Sequence, residues 1–485
     1  LKVSSGLRYL LLLLAGGGLP LAFAPFEQVW IAPLSVAVLF WFWSQAASHQ
    51  LAARGGWFFG VGLFGVGASW IQVSIIQFGG MNLPLSLLMT ALFVAGMALF
   101  FALQGGLLFA LRKRLPDSKM VLFPLLWVGF EWLRSWLFGG FPWLLLGHTA
   151  PGTFYQGLAP WLGTFGVSLF IAWIALLLLR GVVEPKRRLV LSGQLLLLLG
   201  IAWGSSQQQW SEPHGEPLSV ALVQGNIAQD QKWRPENLSS TLQRYRSVTT
   251  QSEARLVIWP ETAIPAFRQQ VDRLFLQPLS QQLKEEGRSL ISGIPLLELE
   301  SEEGESNRYY NGVLTLGLDQ ERNPVAYRKR HLVPMGEYLP FSDLLDPLFD
   351  FLQIPFSSFS AGSAEQSPIL VAGHQLSPTV CYEIAFPELA FSHLPEAGVL
   401  VTVSNDGWFG GSLAPDQHLQ IARMRALEAA RPVLRATNTG VTAVIGADGV
   451  IQQQLPRSEY AVLEVVVQPV RGVTPYLYWS SMAFL

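Results

Sequence analysis

The sequence predicts a two-part chain, a polytopic α-helical membrane domain followed by an α/β sandwich domain. Three observations predict it. Only 14% of the 485 residues are charged while half are hydrophobic, against about a quarter charged in an ordinary soluble domain. The deficit is confined to residues 7–206, whereas 210–470 read as ordinary globular sequence, so the two stretches face different solvents. In the second stretch short β-branched runs alternate with runs of helical period, the pattern of sheets layered with helices.

Seven apolar segments fall near 7–26, 29–47, 57–78, 83–111, 121–139, 159–180 and 188–206. Each approaches the roughly 20 residues that cross a hydrocarbon core of about 30 Å. The first run, 9–25, is expected to stay as a span instead of being cleaved as a signal peptide. Further spans follow at once, and no clear small-x-small site precedes polar sequence. Positive charges alternate between loops. Lys2 and Arg8 precede the first span, Arg54 follows the second, Arg112, Lys113, Arg114 and Lys119 follow the fourth, and Arg180, Lys186, Arg187 and Arg188 follow the sixth. The loops near 27, 79–82 and 140–158 carry no Lys or Arg. The basic loops are therefore expected on the cytoplasmic side, and seven crossings put residues 207 onward outside, which is the periplasm in a bacterium with two membranes. The chain is divided as a membrane domain 1–206, a polar connector 207–217, a catalytic domain 218–470, and 471–485 as the start of a further, returning span. In the fifth segment Glu131 and Arg134 lie three apart, on one helix face. Trp143, His148, Phe154 and Tyr155 suit an interfacial aromatic belt.

The β-type runs of the second part are 218–226, 255–261, 290–295, 312–318, 325–332, 376–383, 399–406, 442–449 and 460–467, with helices over 235–252 and 416–432. ADG at 447–449 is a hairpin turn, and the acidic stretch 297–308 is an exposed loop. Chemistry-bearing residues gather where these runs end. Glu261 closes VIWPET, Cys381 and Glu383 close TVCYE, Lys329 lies in YRKRHLVPMGEYLP, and Glu337 follows eight residues later. In α/β sheets, ligands bind beyond the carboxyl ends of strands. Cys381 is the only cysteine, so the chain has no internal disulfide. A lone thiol is ordinarily a small buried hydrophobe, and each of the other residues has an equally plain structural role open to it. The combination of Glu, Lys and Cys is what points to a thiol enzyme cleaving an amide or ester.

The contexts WPET, YRKxHLVPxGE and CYE resemble the nitrilase superfamily, whose site is a Glu, Lys, Cys triad. With seven preceding spans the resemblance narrows to its membrane-embedded branch, the apolipoprotein N-acyltransferases. QGNIAQDQKW (224–233), SNDGWFG (404–410), QHLQIARMRALEAARP (417–432) and RATNTGVTAVIG (435–446) are similar to that family as well, while Met335 stands where an aromatic is common. The resemblance implies an αββα sandwich and an enzyme that moves an acyl chain from a phospholipid donor to the N-terminal amine of a diacylated apolipoprotein acceptor, working as a monomer. It implies Glu261 as base, Lys329 as oxyanion holder, Cys381 as nucleophile, Glu337, Tyr382 and Glu383 as supporting residues, and Trp233 as lining the substrate site. It implies no metal and no organic cofactor. A net charge of −2 with no long basic stripe gives no case for nucleic acid. Two rivals share the features: a membrane-tethered amidase for a small substrate, which one anchor would serve, and an inactive transporter or scaffold, which would have lost one of the three residues.

Overall fold

The computed structural model describes residues 5–77, 79–115, 121–299, 307–317, 326–340 and 358–483. Lys2, Lys119, Phe341 and the acidic stretch 300–306 lie outside them. The chain folds as two units. One comprises Leu1–Gln208 with Gly411–Gln420, the other Gln209–Gly410 with Ile421–Leu485.

The first unit is helical: α1 Ser5–Gly18, α2 Ile31–Gln45, α3 His49–Gly67, α4 Ile71–Gln77, α5 Leu83–Arg114, α6 Leu122–Trp136, α7 Ala159–Val183 and α8 Arg188–Ser205. All seven apolar segments of the sequence are helical, but they are unequal. Leu83–Arg114, Gln156–Val183 and Pro185–Ser205 are long and apolar enough to cross a membrane, and α3 with α4 makes a fourth if the pair, bent by 56°, is one span. The 15 residues of α2 and of α6 rise only about 22 Å at 1.5 Å each. Glycines let α1, α3 and α5 approach closely. A Cβ at Gly16 would meet the Phe59 carbonyl, and one at Gly56 the Phe101 carbonyl; small residues at helix crossings are how apolar helices gain contact without water to drive them together. Leu87, Leu92, Leu99 and Leu103 of α5 and Leu189, Leu196, Leu197 and Trp203 of α8 stand exposed, as side chains solvated by hydrocarbon do.

Glu131 and Arg134 make local hydrogen bonds inside this unit. Glu131 Oε1 accepts from Trp127 Nε1 at 2.9 Å and from Leu146 N at 2.8 Å. Arg134 donates to the carbonyls of Phe141 and Trp143. The two buried polar side chains of α6 thus hold the 141–146 loop, and Trp143 and His148 in that region are buried instead of lining an exposed belt. The segment Gly411–Gln420, which the sequence assigns to the sandwich, joins this unit. Trp70 Nε1 and Trp143 Nε1 donate to Gln417 Oε1 at 3.1 and 2.8 Å, Gln417 Nε2 donates to Gly67 O at 3.1 Å, and Gln420 Oε1 accepts from Ala24 N at 3.1 Å.

The second unit contains two six-stranded sheets. Its strands are β1 Glu212–Pro213, β2 Leu218–Gln224, β3 Leu256–Ile258, β4 Ser289–Glu298, β5 Arg308–Gly317, β6 Ala326–Arg328, β7 Ile369–Val371, β8 His374–Val380, β9 Val399–Ser404, β10 Val433–Thr437, β11 Ala443–Ile445, β12 Ile451–Gln454, β13 Ala461–Val467 and β14 Val470–Arg471. One sheet runs β13-β2-β3-β4-β5-β6, the other β12-β11-β10-β9-β8-β7, and β1 pairs with β14. Both sheets share one plan. β2, β3 and β4 are parallel, as are β8, β9 and β10, and the outer strands are antiparallel. Val220, Leu222, Ile258 and Ile291 of one sheet pack with Val380, Val401, Val403 and Leu434 of the other. α9 Gln229–Lys232 follows β2, and the outer face of the first sheet is covered by α10 Pro235–Gln251, α11 Arg268–Val271 and α12 Gln277–Glu285, with Tyr245, Val248, Leu279 and Leu283 buried against Trp259 and Leu290. The ADG turn joins β11 and β12 with Gly449 at φ 73°, and the Gly446 amide donates to the Val450 carbonyl at 2.8 Å.

Three strand ends differ from the sequence expectation. The ladders stop at Ile258, Arg328 and Val380, so Glu261, Lys329 and Cys381 lie just beyond them. Pro260 has no N–H to continue its ladder, and Thr262 and Cys381 adopt positive φ, 49° and 53°, which no strand accommodates.

Candidate active site

Glu261 sits in the turn after β3. The Trp259 amide bonds the Ile291 carbonyl and the Gly293 amide the Pro260 carbonyl, at 2.8 and 3.2 Å. Gly293 is needed there, since a Cβ would stand 2.5 Å from Pro260 O and Thr262 N. The Glu261 side chain is 6% exposed. Its Oε1 accepts from Asn311 Nδ2 at 2.7 Å, and its Oε2 has no hydrogen-bond partner among the described residues.

Lys329 follows β6, its main chain held from both sides. Its amide donates to the Asn311 carbonyl and its carbonyl accepts from the Gly362 amide, both at 2.8 Å. Its buried ammonium bonds both oxygens of Glu337, at 2.9 and 2.8 Å. Glu337 also accepts from Asn311 Nδ2 at 2.9 Å and from the Val333 amide at 2.8 Å. Asn311, on β5, is therefore the link between Glu261 and the Lys329–Glu337 pair. Burial disfavours the Lys329 charge, but the carboxylates of Glu337 and Glu261 outweigh it and raise the ammonium above its usual range. It stays protonated at any working pH.

Cys381 opens a short 3-10 turn, Cys381–Ala385, at the edge of the core between the sheets. A non-glycine residue at φ 53° is strained by about 1–3 kcal/mol, and such strain gathers at functional sites. Burial, first, and then the charges of Glu261 and Asp406 raise the thiol well above its ordinary value, while Lys329 and a hydrogen bond from Ser404 oppose them. The resting thiol is neutral. Glu383 binds the two loops together. Its carboxylate accepts from Tyr327 Oη at 3.0 Å, the Arg330 amide at 2.6 Å, the His331 amide at 3.2 Å and the Val380 amide at 2.8 Å. Burial raises its pKa against the pull of these donors and of Lys329. The Tyr382 ring is nearly buried, 5.2 Å from Phe386 and 5.9 Å from His331. Trp233 is half exposed at the end of α9.

Sequence reasoning did not single out Asn311, Tyr327, Lys232 or the buried pair Asp406–Arg435, which meets at 2.7 Å. The signal for Asn311 was available, a lone amide in the apolar run YYNGVLTL. Burial pushes the Lys232 ammonium down to about 8, opposed by the charge of Glu261. The arrangement offers a neutral thiol, a carboxylate near it and a fixed cation, the parts needed for covalent acyl transfer.

A carbon-nitrogen hydrolase family model matches residues 219–473, and a model for the apolipoprotein N-acyltransferase N-terminal domain matches residues 15–177. The apolipoprotein N-acyltransferase of Methylococcus capsulatus is 45% identical over 480 residues, 98% of this chain and 93% of that protein. Those of Coxiella burnetii and Pseudomonas aeruginosa PAO1 are 40% and 39% identical, covering 97% of this chain and 96% and 92% of theirs. Among solved structures, a carbon-nitrogen hydrolase from Helicobacter pylori aligns with TM-score 0.39 and 16% identity over 52% of this chain and 89% of its own.

Proposed function

The chain belongs to the apolipoprotein N-acyltransferase family, and from that premise we propose that it transfers an acyl chain from a membrane phospholipid to the α-amine of the N-terminal diacylglyceryl-cysteine of apolipoproteins. Glu261, Lys329 and Cys381 carry the reaction. The observation that supports this most is the buried chain Glu261–Asn311–Glu337–Lys329, whose end charges both act on the Cys381 thiol.

The thiol is neutral at rest, so attack and deprotonation go together. Cys381 Sγ bonds the ester carbonyl carbon of the phospholipid as its proton passes to Glu261. The Lys329 ammonium and the main-chain amide after Cys381 hold the oxyanion, one such donor lowering the barrier by about 3 kcal/mol. The carbon–oxygen bond breaks, Glu261 returns the proton to the departing alkoxide, and a lysophospholipid leaves. The lipoprotein amine then attacks the thioester and gives its proton to Glu261. The carbon–sulfur bond breaks, and the thiolate recovers the proton. Glu337 keeps Lys329 in place, and Tyr382, Glu383 and Trp233 support the substrate face. The helical unit anchors the enzyme in the cytoplasmic membrane, with the sandwich on the periplasmic side where lipoproteins are displayed. Both substrates are amphiphiles, so an enzyme built into the bilayer meets them where they reside.

Incubating the full-length enzyme in phospholipid vesicles with a synthetic diacylated lipopeptide tests the reading. The lipopeptide gains one base-stable acyl chain, and lysophospholipid appears in equal amount. Release of free fatty acid with the lipopeptide unchanged would make the enzyme a hydrolase and end the proposal.

A further inference from the structure

Lys232 is the last residue of α9 and is 2% exposed. Its Nζ donates to the Glu261 carbonyl at 3.1 Å, the one hydrogen bond it makes among the described residues. An ammonium has three donors, and burying one with a single neutral partner is unfavourable unless a charge lies near. The nearby charge is that of Glu261 itself. The loop that delivers Lys232 is built for the purpose. The Ile227 amide donates to Asn438 Oδ1 at 3.0 Å, Asn438 Nδ2 to the Ile227 carbonyl at 2.7 Å, and Asn405 Nδ2 to Gln229 Oε1 at 2.7 Å. The ends of β9 and β10, in SND and TNTG, thus fix a loop of the other sheet.

We propose that Lys232 is a positioning residue for acyl transfer, which pins the Glu261 main chain and places a cation beside the carboxyl that takes the thiol proton. This rests on Glu261 acting as the base. Glu261 is braced by Gly293 of β4 and Asn311 of β5, and Lys232 supplies a further contact to its main chain. The titratable groups that face Glu261 include Lys329 and the Cys381 thiol and Glu337, which shares Asn311 Nδ2 with it, and all three belong to the site. Lys232 is the cation that can be changed without removing a reacting group. With the ammonium near 8, Lys232 binds fewer protons folded than unfolded between about 8 and 10.4, so its contribution to stability rises with pH across that window.

The test measures the rate of acyl-enzyme formation from phospholipid, by intact mass, across about pH 5 to 9 for the parent, Lys232→Met, Lys232→Arg and Glu261→Gln. Lys232→Met is expected to unfold at the same or a higher temperature, since an under-partnered buried ammonium is removed. Its acylation rate falls about a hundredfold, and the acid limb moves to higher pH, because a carboxylate that loses a neighbouring cation holds its proton more tightly. Lys232→Arg restores the acid limb. An acid limb unmoved in Lys232→Met, or a rate that falls only in step with loss of folded enzyme, overturns the inference. Glu261→Gln separates the two levels. If it is inactive while Lys232→Met behaves as the parent, only the role of Lys232 fails; if it acylates normally, Glu261 is not the base.

Discussion

Cys381→Ala leaves a folded enzyme whose transfer of acyl chains to lipopeptide falls by about 10⁴-fold or more, the scale on which removal of a covalent nucleophile acts. The effect is this large because no other group can take over. Cys381 is the only cysteine, and the carboxylates near it are less nucleophilic toward an ester than a thiolate. The fold survives because the change removes one sulfur from a residue at the margin of the core between the sheets, a deletion costing about 1 kcal/mol. Lipopeptide acylation followed by mass, with thermal unfolding of the same preparation, checks both halves. Cys381→Ser falls nearly as far, since a hydroxyl is much harder to deprotonate than a thiol.

Glu383→Ala is expected to lose stability and activity together. Its buried carboxylate is the common acceptor for Tyr327 Oη and the amides of Val380, Arg330 and His331. Alanine leaves one hydroxyl and three main-chain donors unpaired, each costing about 1–3 kcal/mol where water cannot enter. The sum is reduced by relaxation, and about 3–5 kcal/mol is the scale for breaking a buried ionic network. The same bonds tie the Lys329 loop to the Cys381 turn, so the enzyme that remains folded has a displaced cation, and its acylation rate falls by about a hundredfold. Chemical unfolding and single-turnover acylation measured at low temperature distinguish the two losses. An activity loss without any fall in stability would contradict the structural part of this account.

Much of the second unit was legible in the sequence because its central strands are β-branched runs buried on both faces, such as Leu218–Gln224 and Val399–Ser404. β7, with three residues, β12, whose sequence is IQQQ, and the central β10, whose VLRAT is broken by Arg435, were not, since none is long or apolar enough to stand out. Glu261 and Cys381 stand out in the sequence because each follows an apolar run, and Lys329, within the basic run RKRH, only through the motif around it. Lys232 does not stand out, because QDQK reads as a solvated polar turn, whereas the fold buries its ammonium against the Glu261 carbonyl. The helix Ala414–Ala429 was expected, but its partition was not. Gln417 and Gln420 look like solvent-facing residues until Trp70, Trp143 and Ala24 supply their hydrogen bonds. The apolar segments of the first half were evident from composition. Their unequal lengths and the bend between α3 and α4 depend on helix packing, which hydropathy does not encode.

The thioester is the central claim, and the intact mass of the purified full-length enzyme after exposure to a phospholipid of defined chains tests it most directly. The account predicts a gain of one acyl chain, sensitive to hydroxylamine, absent from Cys381→Ala, and discharged when a diacylated lipopeptide is added. An enzyme with a free thiol that transfers acyl chains to lipopeptide while never carrying one itself would contradict it.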